Sequence, residues 1–126
     1  MTTYGKKPRN KTIVAFLKSK GWQLEKTGEV YFHMKPPNDM VFDDKDFQYL
    51  VPVNEDAQGY EEFVFGIVRS ISQLYEFELG ELFDLLSKSM EEIRREVERE
   101  TRLFEMRQEL IAYIRKLDAK QTTFAE

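Results

Sequence analysis

Cysteine is absent from this chain, histidine and tryptophan each occur once, and no apolar run approaches the length of a membrane span. Without cysteine there are no disulfides and no thiolate metal sites, a composition that suits a reducing cytosol. His33 is the single imidazole, so a histidine metal pair or relay is excluded. As a lone general base it needs a neighbour that only the fold supplies, and a plain strand residue is the simpler role. The six glycines are scattered singly, so no phosphate-cradling loop exists. Ser70, Ser72, Ser87 and Ser89 lack the context of a nucleophile elbow. Met1-Thr2-Thr3-Tyr4 lacks the apolar core of a signal peptide, and the expected location is cytoplasmic. No cofactor and no metal is expected. The carboxylates Asp39, Asp43, Asp44 and Asp46 lack the glycine and closing glutamate of a calcium loop, so they read as a solvated acidic connection.

What is present is apolar and aromatic material sufficient for one core. The chain has 126 residues, 41% hydrophobic, with ten phenylalanines and six tyrosines, which fits one domain and not two. The net charge of −4 is unevenly distributed. Lys6, Lys7, Arg9, Lys11, Lys18 and Lys20 fall in the first 20 residues without any acid, whereas residues 21–88 are strongly acidic. A basic end on an acidic body is available to a polyanion or an acidic partner, and it is equally a solvated arm.

The element order follows from periodicity and punctuation. Residues 1–9 read as a flexible basic lead. Asn10 is placed to cap a helix whose apolar face is Ile13, Val14, Phe16 and Leu17, and Gly21 with Trp22 is a left-handed stop. Trp22–Glu29 and Val30–Lys35 alternate around Gly28 as a β-hairpin. Phe47–Val53 predicts a third strand, with Pro52 placing that end at an edge or bulge. From Tyr60 the period becomes helical through Tyr75, a break is expected between Phe77 and Gly80, and Leu82, Phe83, Leu85 and Leu86 form a further apolar patch. Ser89-Met90-Glu91-Glu92 is a capping box opening a fresh helix. The predicted class is therefore α+β: a small three-stranded antiparallel sheet with helices over 10–88, a long association helix over 89–118, and a disordered tail over 119–126.

The phrases Phe16-Leu17-Lys18-Ser19-Lys20-Gly21-Trp22, Gly28, Val51-Pro52-Val53 and Ile67-Val68-Arg69-Ser70-Ile71 come in the order helix, hairpin, strand, helix. In this, residues 12–86 resemble the HicA mRNA interferase family, whose fold is of the double-stranded-RNA-binding type. The resemblance implies that α-β-β-β-α fold and an RNA surface. The family's ribonuclease activity relies on a histidine directly after a glycine-serine pair at the start of the second strand. Here Gly28 is followed by Glu29 and Val30, so the catalytic histidine motif is absent, and catalysis on this plan falls to His33 or to nothing. If RNA is bound, Lys6, Lys7, Arg9 and Lys11 are its expected contacts, with Tyr31, Phe32, Phe47 and Tyr49 as a possible stacking surface.

The long helix carries two apolar stripes at near-heptad spacing. Met90, Ile93, Val97, Phe104, Ile111 and Ile114 form one, interrupted by Glu100 and Arg107; Leu103, Met106, Leu110, Tyr113 and Leu117 form the other without a break. A helix with one stripe lies on its own core, and one with two needs neighbours on both sides. An antiparallel hairpin with the 60–86 region buries one stripe and leaves the other. The expected activity is non-catalytic association, a small adaptor or subunit that oligomerises or docks on a larger protein through Leu103, Phe104, Leu110, Ile111, Ile114 and Leu117.

Overall fold

A computed structural model describes residues 6–125, with side chains as far as Ala119. The elements in chain order are α1 (Asn10–Ser19), β1 (Gln23–Thr27), β2 (Tyr31–Lys35), β3 (Tyr49–Pro52), α2 (Tyr60–Tyr75), α3 (Leu79–Leu86) and α4 (Met90–Ala125). The α+β class and the three-stranded antiparallel sheet are as the sequence predicts. The chain divides into two compact units, Met1–Met90 and Glu91–Glu126.

In the first unit the sheet runs β1-β2-β3, with β2 in the middle. Leu24 pairs with Met34 and Met34 with Tyr49, which sets one face of all three strands toward the helices. The β1–β2 register slips at Glu25, an irregularity that lets both ends of the hairpin stay paired. The hairpin closes through the Gly28 N–H on the Tyr31 carbonyl at 2.9 Å. Pro52 is tolerated because β3 is an edge strand, where a missing N–H deprives no neighbour.

The core gathers one face from each element: Ile13, Val14 and Leu17 of α1, Met34, Tyr49 and Val51 of the sheet, Val64, Ile67, Val68 and Ile71 of α2, and Leu82 and Leu86 of α3. Trp22 is buried among them. α1 ends in a Schellman motif, with the Gly21 N–H on the Lys18 carbonyl and the Trp22 N–H on the Leu17 carbonyl, both at 3.0 Å. Gly21 takes φ +94°, a conformation that costs other residues about 1 kcal/mol or more. The stop thus delivers Trp22 into the core, where its ring lies 4.8 Å from Tyr49 and its Nε1–H donates to the Tyr75 hydroxyl at 2.8 Å.

Three local expectations change. Asn10 is the first helical residue and not the cap, since the cap position belongs to Arg9 and has no side-chain hydrogen bond. The third strand is shorter than Phe47–Val53: the Phe47 N–H turns onto the Asp44 carbonyl, and the Phe47 ring stacks on Phe42 at 4.6 Å. The basic lead is held where it is described. Pro8 is buried, the Arg9 N–H donates to the Leu86 carbonyl at 2.8 Å, and the Tyr60 hydroxyl donates to the Pro8 carbonyl at 2.7 Å. Residues 1–5 of that lead lie outside the described residues. The tail expected over 119–126 has side chains outside the described set from residue 120 onward, and α4 itself runs to Ala125.

Candidate functional site

α4 starts at Met90, directly after Ser89, where the capping-box sequence sets it. Its first turns are charged, and Glu91–Arg95 forms an i,i+4 pair at 3.9 Å. From Leu103 onward its character changes. Leu103, Phe104, Met106, Leu110, Ile111, Tyr113, Ile114 and Leu117 are all exposed, from 42% for Ile111 to 63% for Phe104. At the α-helical repeat these positions occupy about half the circumference, and Arg107 is the one charge among them. Monomeric soluble proteins rarely leave a contiguous apolar patch of this kind in water. The six predicted contact residues therefore lie together on one helix face, and all of them are solvent-accessible.

The basic residues proposed for RNA are not assembled into an open patch. Arg9 Nε meets Glu55 Oε2 at 3.3 Å, and the same carboxylate oxygen accepts the Asn10 N–H at 2.9 Å. Lys7 Nζ donates to the Glu55 carbonyl at 2.7 Å, stands 3.6 Å from Asp56, and lies over the Tyr60 ring. Lys6 pairs with Asp84 at 3.5 Å. Lys11 is exposed on α1. Three of the four cations thus face carboxylates of their own chain, which lowers the local positive potential that a phosphate backbone requires.

The aromatic set is likewise committed to packing. Tyr49 is buried, with its hydroxyl 2.7 Å from Ser70 Oγ, and burial raises its pKa above the ordinary value. Phe47 and Phe42 stack beside Trp22, Tyr31 stacks on Phe63 at 5.6 Å, and Phe32 packs against the core. His33 is half-buried, with Nδ1 3.2 Å from Gln48 Oε1, and Gln48 in turn donates to Glu25. Neither carboxylate nor hydroxyl touches the imidazole in this relay. Asp39, Asp43, Asp44 and Asp46 are exposed, and among the described residues no group of three or more ligating side chains comes together. No helix among the described residues is long and apolar enough to cross a membrane.

Two features escape sequence reasoning. Lys20 Nζ sits 5.2–5.7 Å from the rings of Phe16, Tyr75 and Phe77, three faces from two helices and a connection. Phe65 and Phe83 border a cleft with Leu79, Gly80 and Glu78, of about 550 Å³. Phe65 lies off the buried face of α2 formed by Val64, Ile67, Val68 and Ile71, and an exposed phenylalanine is the one signal the sequence offers for this cleft. No protein-family model, curated protein or solved structure matches this chain.

Proposed function

We propose that the chain is a non-catalytic association module, a small adaptor or subunit that acts by holding another helix against α4. The observation that carries this is the apolar face of Leu103, Phe104, Leu110, Ile111, Ile114 and Leu117, which stands in water on a helix of 36 residues. Covering a side chain already half-exposed gains on the order of 1 kcal/mol. Several such residues on one face therefore supply enough to hold a complex after the entropic cost of association. The RNA-directed alternative of the HicA type keeps the order α1-β1-β2-β3-α2 and the exposed Lys11 in its favour, while three of its four cations and its imidazole are engaged within the chain.

The test is a double substitution, Leu110→Glu with Leu117→Glu, in the full chain. Size-exclusion light scattering and affinity capture are run on wild type and variant side by side. The expected outcome is an assembly, with itself or with another protein, that wild type forms and the variant loses while the emission of Trp22 in the first unit is unchanged. A wild type that stays monomeric and captures nothing beyond what the variant captures would overturn the reading.

A further inference from the structure

The two charges that interrupt the apolar stripe identify what covers it. Glu100 and Arg107 are seven residues apart, so they occupy the same position of consecutive heptads. Three and four residues on either side of Arg107 stand Leu103, Phe104, Leu110 and Ile111, so its own helix places no carboxylate beside it. Around Glu100 the corresponding positions hold Glu96, Val97, Leu103 and Phe104, again without a cation. Once this face is covered, the complement to each has to come from the facing helix.

A parallel, in-register pair of α4 helices sets Glu100 on Glu100 and Arg107 on Arg107, like charges within an apolar contact. An antiparallel pair does the reverse. With the two-fold axis at Glu105, Glu100 stands level with Leu110 of the second copy and Leu103 with Arg107 of the second copy. Glu100 and the second copy's Arg107 are then one layer apart, about 4.5 Å along the axis, within reach of both side chains. The symmetry makes this contact twice. The same alignment sets Ile93 level with Leu117, brings Val97 beside Ile111, and places Phe104 and Met106 near their own copies at the axis. Its least favourable level is Glu96 beside Ile114.

We infer that α4 pairs antiparallel with α4 of a second copy of this chain, in a register that brings Glu100 within one layer of the second copy's Arg107. The inference rests on the association reading above and names its partner. The opposed charges select orientation, because a parallel in-register pair leaves each charge against its like.

The test is charge exchange in the purified full-length protein, read by sedimentation equilibrium. Wild type is expected to dimerise. Glu100→Arg makes both cross-seam contacts cation on cation and Arg107→Glu makes both anion on anion, so each should weaken dimerisation on the order of 100-fold. The double variant Glu100→Arg/Arg107→Glu restores opposite charges across the seam and should return the affinity to within a few-fold of wild type. Single variants as tight as wild type, or a double variant no tighter than the singles, would overturn the antiparallel pairing while leaving self-association in place. A wild type monomeric throughout the micromolar range overturns the second copy as the occupant. In that case capture lost on Leu110→Glu/Leu117→Glu still supports the broader reading, and capture unchanged ends both.

Discussion

Glu55 shows how one side chain can define a segment. Its carboxylate takes the Arg9 guanidinium and the Asn10 N–H, its carbonyl takes Lys7, and the Asn10 amide then donates to the Pro52 and Val53 carbonyls at 3.1 and 2.8 Å. Each of these links joins residues more than 40 positions apart. That distance explains why Asn10 reads from sequence as a cap: its Oδ1 does accept a local N–H, from Lys11 at 2.7 Å, but its amide N–H partners come from the end of β3. Tyr60 completes the clasp through Pro8, and burial is the main cause that holds its hydroxyl well above the ordinary value of 10.0, with the Glu55 carboxylate adding to it. A raised tyrosine pKa means the folded state keeps a proton that the unfolded state surrenders. The associated stability is complete below the unfolded value and is lost as pH climbs from there toward the folded one. Urea unfolding followed through the alkaline range should therefore show stability falling above the ordinary tyrosine pKa. Tyr60→Phe should flatten most of that fall and leave the share due to Tyr49, whose pKa is also raised. An equal slope in both proteins would count against this assignment.

At the scale of elements, the ends of helices are where sequence and structure agree best. Gly21 stops α1, the chain breaks between Tyr75 and Leu79, and α4 opens after Ser89. Each of these depends on interactions within a few residues, so the information is local. Strand length and aromatic placement do not share that property: β3 is cut short because Phe47 joins the Trp22 cluster, a choice set by a loop and not by alternation. The residues expected on α4 were legible for the opposite reason, since a helix standing in water obeys its own period. One helix end carries a cost that composition alone does not reveal. Glu76 caps α2 in the left-handed conformation, φ +58°, and allows the Phe77 N–H to reach the Ser72 carbonyl at 2.9 Å. Glycine takes that conformation without penalty, so Glu76→Gly should raise the unfolding free energy by about 1 kcal/mol. Thermal melting checks it, and a lowered midpoint would mean that the glutamate side chain contributes more than its backbone costs.

For the molecule as a whole, the division into two units is the organising fact. Among the described residues every member of the buried core lies between Ile13 and Leu86. The buried polar groups of the first unit are also satisfied within it: Thr12 Oγ1 donates to the Lys88 carbonyl at 2.6 Å, and Ser72 Oγ to the Arg69 carbonyl at 2.7 Å. A chain ended after Met90 should therefore unfold cooperatively, with a midpoint within a few degrees of the full chain when both are dilute; a broad, non-cooperative melt would show that α4 is needed for the core. The single tryptophan gives this division an optical counterpart. Trp22 sits wholly in the sheet-bearing unit, and Glu91–Glu126 contains no indole. Tryptophan emission, excited selectively, is thus blind to α4, whereas amide dichroism is weighted toward it, because it is the longest helix. The two signals recorded on one sample act as separate channels. A dichroic transition that moves with protein concentration, beside an emission transition that does not, would be the spectroscopic mark of helices meeting at α4 alone.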